Sequence, residues 1–214
     1  MPPQTLRAFI AIEFSPALRE RFAAIIAALS RDTPPRAVSW VKADNIHLTL
    51  KFLGDIPQTH IAPISAALTE AASTVESFSF SVSGLGCFPT IKRPRVLWAG
   101  IDPAGAKNLI ELQAAVEQQL ITLDYPPEDR PFSPHITLGR VRREARPEEA
   151  VKAGEAVRAQ SKTELGSELV NAVTLMKSDL RPGGPIYTHC SSPRSAERRH
   201  RGSRRFLSGA PVAL

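Results

Sequence analysis

Cysteine is scarce in this 214-residue chain. Cys87 and Cys190 are the only two, too few for a disulfide framework, and nothing points to an oxidising compartment. Long apolar runs are missing as well. None approaches the ~20 residues that a spanning helix needs, so no membrane partner is expected. The first residues lack the basic-then-apolar layout of a secretory signal, because Arg7 and Glu13 interrupt the apolar stretch over residues 6–14. A soluble, cytoplasmic protein is the expectation.

A charged body is also missing, despite a formal net charge of +6 from 27 basic and 21 acidic side chains. Residues 189–214 hold six arginines (Arg194, Arg198, Arg199, Arg201, Arg204, Arg205) against one acid, Glu197, which leaves 21 basic and 20 acidic groups in residues 1–188. The isoelectric point of about 9.7 therefore belongs to the C-terminal segment and is poor evidence that the body binds nucleic acid. That segment is rich in Ser, Arg and Gly with no sustained apolar period, and reads as a disordered basic tail. Residues 1–188 read as the folded domain.

What is present suffices for a core: 43% of residues are apolar and 22% charged. Residues 6–14 predict a strand with both faces largely apolar. Ser15-Pro16 then predicts a capped helix with Leu18, Phe22, Ile25, Ile26 and Leu29 on one face. Strands are expected over 38–42 and 46–53, and a helix over 58–74. Phe78, Phe80 and Val82 alternate as in a half-buried strand. A strand over 95–101 leads into a helix opened by Asp102-Pro103, with Leu109, Leu112, Val116 and Leu120 inward. A proline-rich loop over 124–134, a strand over 135–141, a helix over 147–160 and a strand over 168–177 follow. The elements interleave without a regular βαβ rhythm, which predicts an α+β fold with largely antiparallel pairing.

One feature repeats. His47-Leu48-Thr49-Leu50 returns as His135-Ile136-Thr137-Leu138, 88 residues later. At this composition a given histidine begins such a tetrapeptide by chance roughly 0.2% of the time. Residues two apart on a strand share a face. Ile46, Leu48, Leu50 and Phe52 are thus expected inward, with His47, Thr49 and Lys51 opposite; His135 and Thr137 likewise oppose Ile136 and Leu138. Each strand presents an imidazole beside a hydroxyl. Brought together, one imidazole can donate a proton while the other accepts one, and the hydroxyls can hydrogen-bond phosphate oxygens as charge develops. This suits acid–base chemistry on a cyclic phosphodiester. Neither copy brings a third His, a Cys or a carboxylate at ligand spacing, whereas zinc usually takes three or four ligands, so no metal is expected.

Beyond the paired motifs, the chain carries Arg7-Ala-Phe-Ile-Ala-Ile and Trp40-Val-Lys-Ala-Asp-Asn-Ile-His-Leu-Thr-Leu-Lys-Phe-Leu-Gly. It also carries Gly86-Cys-Phe-Pro, Arg95-Val-Leu-Trp, Arg130-Pro-Phe-Ser-Pro-His-Ile-Thr-Leu-Gly-Arg, Leu175-Met-Lys-Ser-Asp-Leu and Gly184-Pro-Ile-Tyr. On these segments, residues 6–188 resemble the two-histidine (2H) phosphoesterase superfamily, in its branch of RNA 2′,3′-cyclic phosphodiesterases and 2′-5′ RNA ligases. The resemblance implies two similar α+β lobes flanking a central cleft, helices on the outer faces, and one His-x-Thr motif from each lobe. It implies opening of RNA 2′,3′-cyclic phosphate ends to 2′-phosphates with no metal or nucleotide cofactor. His47 would be the proton donor to the departing 3′-oxygen and His135 the proton acceptor, with Thr49 and Thr137 holding the phosphate.

Arg140 shares parity with Ile136 and Leu138, but Gly139 allows a bulge that would swing the guanidinium toward the phosphate; the bland alternative is a salt-bridged edge residue. Trp40 and Phe52 could stack on a base, but core positions are expected for both. Lys92-Arg93-Pro94-Arg95 and the Arg142, Arg143, Arg146 group could track RNA, or could simply be solvated. His60 is expected to be a solvated helix residue. RNA with cyclic phosphate ends is the expected partner, with no obligatory protein partner and a monomeric state. The residues leave three alternatives open: 2′-5′ ligation by the reverse reaction, a small cyclic nucleotide as substrate, and RNA binding without catalysis. The chain departs from the family after Tyr187-Thr188, where an apolar last strand gives way to Cys190 and the arginines; an unpaired sheet edge is expected there.

Overall fold

Prolines start three of the helices, at positions whose missing N–H would be unpaired in any case. The computed structural model describes residues 4–181, 184–190 and 212–213. In chain order it contains β1 (Thr5–Glu13), α1 (Pro16–Arg31), β2 (Val38–Trp40), β3 (His47–Pro57), α2 (Ile61–Ser73), β4 (Phe78–Thr90) and β5 (Arg93–Ile101). These are followed by α3 (Pro103–Ile121), β6 (Ile136–Val141), α4 (Pro147–Ala159), β7 (Glu164–Val170), β8 (Ala172–Asp179), β9 (Ile186–His189) and β10 (Val212–Ala213). Asp102 caps α3, accepting from the Gly105 N–H at 3.0 Å. Ser15 occupies the cap position of α1 but makes no capping bond; its hydroxyl donates to Glu168 on β7 at 2.9 Å.

Two antiparallel sheets result. In the first, β3, β1 and β8 run side by side, and both β9 and β10 pair with β8; the second has the order β2-β6-β5-β4-β7. The α+β architecture with antiparallel pairing is as expected from the sequence. The chain crosses between sheets repeatedly. Although α1 follows β1, it packs against β2 and β7, while α2 and α3 pack on each other and reach β8 and β3. Phe22, Ile10, Leu48, Leu97 and Leu112 belong to one buried cluster fed by both sheets. Burial of each such side chain contributes roughly 1.5–3 kcal/mol. Phe9, Ala11 and Met176 form a second small cluster with Tyr187 against it. Strand β1 is thus covered on both faces, as its composition predicts.

Two expectations are corrected. The strand predicted over 168–177 is two strands from different sheets, β7 and β8, parted at Asn171. Leu169, Val170, Ala172 and Val173 flank Asn171 so closely that the sequence reads as one strand. The folded body also extends past residue 188. His189 closes β9 and reaches Glu13 at 2.8 Å, and the N–H of buried Cys190 donates to the Leu175 carbonyl at 2.9 Å. Val212 and Ala213 pair with Val173 and Ala172, so that stretch of the β8 edge is occupied. The expectation of disorder otherwise falls on residues 191–211 and 214, outside the described residues. Among the described residues, no helix is long and apolar enough to cross a membrane.

Candidate active site

His47 and Thr49 lie on the half-buried face of β3, with Leu48 and Leu50 in the core. The alternation then breaks. Ala11 faces Thr49 and Ile10 faces Lys51, which leaves Leu50 as an extra residue in β3. Such a bulge resets side-chain parity. Lys51 turns inward to 3% exposure and Phe52 turns outward to 59%. Both outcomes reverse the alternation read from the sequence. Phe52 is not a core residue; it lines the cleft near Phe9, ring centroids 6.2 Å apart.

The same device recurs in β6. Trp98 faces Thr137 and Leu97 faces Gly139, so Leu138 is the extra residue. Arg140 therefore emerges exposed on the cleft side, as the bulge reading allowed. Glycine is required at 139: a Cβ there would lie 2.8 Å from Val38 Cγ1 and 2.9 Å from Trp40 Cε3. Trp40 itself packs against the core, as expected. Leu50 and Leu138 hold equivalent places in the two motifs. Equivalent bulges thus deliver the fifth residue after each histidine, Phe52 and Arg140, to one cleft.

The cleft has a volume of about 660 Å³ and is lined by His47, Thr49, His135, Thr137, Arg140 and Tyr187, with Phe52, Arg7, Arg130 and Glu128 also on its walls. The histidines are tied in the same way. Each Nδ1–H donates to the carbonyl two residues earlier, at 2.8 Å: Asn45 for His47 and Ser133 for His135. A ring held so leaves Nε2 for the cleft, where it accepts a proton when neutral and donates one when charged. Each ring also meets aromatic neighbours. His47 lies 4.7 Å from Phe9 and 5.1 Å from Tyr187, and His135 lies 5.0 Å from Phe88.

Burial holds the His47 pKa below the ordinary imidazole value, opposed by the Asn45 carbonyl and the Glu13 charge. Burial likewise raises the Tyr187 phenol, against the nearby cations Arg140 and Arg7. A His47 whose pKa lies below the ordinary imidazole value is expected to take up a proton when an anion enters. Sulfate, which does not titrate in this range, should therefore bind more tightly as pH falls below neutrality. Titration calorimetry in buffers of different ionisation enthalpy should show proton uptake, and His47→Gln should lose its share of it. A pH-independent affinity in the intact protein would contradict this.

Other candidates stay apart. Lys92, Arg93 and Arg95 on the β4–β5 hairpin do not line the cleft; nor do Arg142, Arg143 and Arg146, the last of which pairs with Glu148 and Glu149. His60 is not simply solvated, since its ring nitrogen bonds the Tyr125 hydroxyl at 2.8 Å. Sequence reasoning missed Tyr187, Phe9, Phe88 and Lys51 as parts of this site. The three aromatics reach the histidines from β1, β4 and β9, and no local period marks such a wall.

Comparison with known proteins points the same way. The model of the family described as LigT like Phosphoesterase matches residues 12–98 and 100–187, and each stretch holds one His-x-Thr motif. The chain is 32% identical over 186 residues to the RNA 2′,3′-cyclic phosphodiesterase of Methanothermobacter thermautotrophicus, covering 86% of this chain and 95% of that one. To the Archaeoglobus fulgidus protein of the same name it is 36% identical over 185 residues, covering 85% and 96%. The crystal structure of E. coli LigT complexed with 3′-AMP superposes with a TM-score of 0.64 at 28% identity, covering 86% of this chain and 95% of that one.

Proposed function

Since this chain belongs to the LigT-like phosphoesterase family, we propose that it hydrolyses RNA 2′,3′-cyclic phosphodiester ends to 2′-phosphomonoesters by paired histidine catalysis, without a metal. The observation that carries the reading is that two copies of one His-x-Thr unit face a single cleft with the same Nδ1 tie. In this reaction His135 Nε2 takes a proton from water while the water oxygen bonds to phosphorus. The P–O3′ bond breaks, its electron pair leaves on O3′, and His47 Nε2–H protonates that oxygen. Thr49 and Thr137 donate hydrogen bonds to the non-bridging oxygens, and Arg140 supplies a cation beside them. The substrate's negative charge raises the otherwise depressed His47 pKa, so the ring carries its proton when it must donate.

The cleft suits an RNA end. Arg7 and Arg130 offer positive charge to a polyanion, and exposed Phe52 offers a face on which a base can stack. The metal-free reading rests on the two imidazoles, which between them can supply both the acid and the base that the reaction needs.

The test is an RNA oligonucleotide ending in 2′,3′-cyclic phosphate, incubated with the protein in EDTA and without ATP. A 2′-phosphate product at an EDTA-insensitive rate is expected. A 3′-phosphate product, or a rate abolished by EDTA, would count against the regiochemistry or the metal-free mechanism respectively.

A further inference from the structure

A buried lysine in the cleft wall is left unused by this chemistry. Lys51 is 3% exposed, and its Nζ donates to Glu117 Oε2 at 2.6 Å and to the Pro126 carbonyl at 2.7 Å. Glu117, on α3, also accepts from Gln113 through its other oxygen at 2.9 Å. A lysine at the core face of a strand is costly unless paired and hydrogen-bonded, so its retention there calls for a physical reason.

Pro126 begins the stretch that delivers the second histidine. Between α3 and β6 the chain runs without regular structure and includes Pro126, Pro127, Pro131 and Pro134, none of which has an N–H to bond with. Ser133, whose carbonyl fixes the His135 ring, lies in this stretch, as does Arg130. Among the described residues, Lys51 is the only group outside residues 126–134, apart from His135 itself, that hydrogen-bonds into them. A second tie sits one residue earlier, where Tyr125 meets His60.

We propose that Lys51 is a positioning residue that sets the distance between the two histidines. It stands four residues after His47 on the same strand, turned inward by the bulge at Leu50. From there it ties the first motif, through one ammonium group, to the loop that carries the second. Glu117 holds the ammonium in place through its 2.6 Å bond. The inference rests on the proposed hydrolysis only in its kinetic readout; the tie itself is a property of the fold. Since a misplacement of about 1 Å can cost ~100-fold in rate, loosening this tie is expected to lower kcat at least ~10-fold while leaving KM nearly unchanged.

The deciding variant is Lys51→Met/Glu117→Leu, which removes the tie without stranding a buried charge. Its thermal midpoint is expected near that of the parent protein, with kcat on a cyclic phosphate RNA end reduced at least ~10-fold. Cleavage after Glu128 by a glutamyl endopeptidase should be faster by a similar factor. A double variant of parental stability with parental kcat and parental cleavage overturns the proposal, because a purely structural pair would behave that way. If the parent protein hydrolyses no cyclic phosphate, the proposed function fails and proteolysis alone decides: unchanged cleavage after Glu128 overturns the inference. If the double variant does not fold, Lys51→Gln/Glu117→Gln replaces it, since the shorter neutral amide gives up the reach to the Pro126 carbonyl while a polar pair remains. Faster cleavage after Glu128 in that variant supports the tie, and unchanged cleavage overturns it.

Discussion

Replacing either His47 or His135 with alanine is expected to lower kcat at least ~100-fold while leaving affinity for the RNA end nearly intact, since positioned acid–base groups contribute ~100- to 10,000-fold. The two effects should not add. Once one imidazole is lost, the other has no complementary partner, and removing it costs little more. Both rings project Nε2 from an Nδ1–H bond to a carbonyl two residues upstream, so neither should be the minor partner. Thr49→Ala and Thr137→Ala leave that relay in place. Single-turnover rates and equilibrium binding, measured on the same variants, separate chemistry from affinity. Parallel losses of binding with unchanged turnover of bound RNA would instead identify a binding module.

The second large effect concerns stability. Glu117→Ala strands the Lys51 ammonium, which is 3% exposed and now keeps only the Pro126 carbonyl. Removing one member of a buried ion pair typically costs ~3–5 kcal/mol, a large share of the ~5–15 kcal/mol that stabilises an ordinary domain. At this chain length each kcal/mol moves the thermal midpoint by ~2–4 °C, so a fall of roughly 6–20 °C is expected. Replacing both members by apolar residues of similar volume should recover most of that loss. A urea midpoint that falls with an unchanged slope would confirm a stability effect. If Glu117→Ala lowers the unfolding free energy by less than ~1 kcal/mol, the pair is not electrostatically buried as its geometry requires.

Much of the molecule was legible residue by residue. The helix starts at Pro16, Pro103 and Pro147 follow from a steric rule that needs no partner. The inward faces of α1 and α3 follow from a 3.6-residue period that each helix expresses by itself. The strand from Phe78 also announces itself, because Phe80 and Val82 alternate with serines. Asn171 could not be found this way, since β7 and β8 abut in sequence and separate only by joining different sheets. The covering of the β8 edge by Val212 and Ala213 was equally out of reach, because pairing over such a separation leaves no local signal.

The chemistry divides along the same line. The sequence by itself determined that two imidazoles and two hydroxyls share a strand pattern, since His47 with Thr49 and His135 with Thr137 need only the two-residue period of an extended chain. It also marked Gly139 as the place where β6 could depart from that period. Tertiary structure decided that both units open onto one cleft, that Phe52 is exposed there while Lys51 is buried in its wall, and that Tyr187, Phe9 and Phe88 wall the histidines. The reason is that a bulge is set by register against a neighbouring strand. In β3 the register with β1 makes Leu50 the extra residue, and in β6 the register with β5 does the same for Leu138. Parity after a bulge belongs to the pair of strands, so no single strand's sequence could reveal which of Lys51 and Phe52 would be buried.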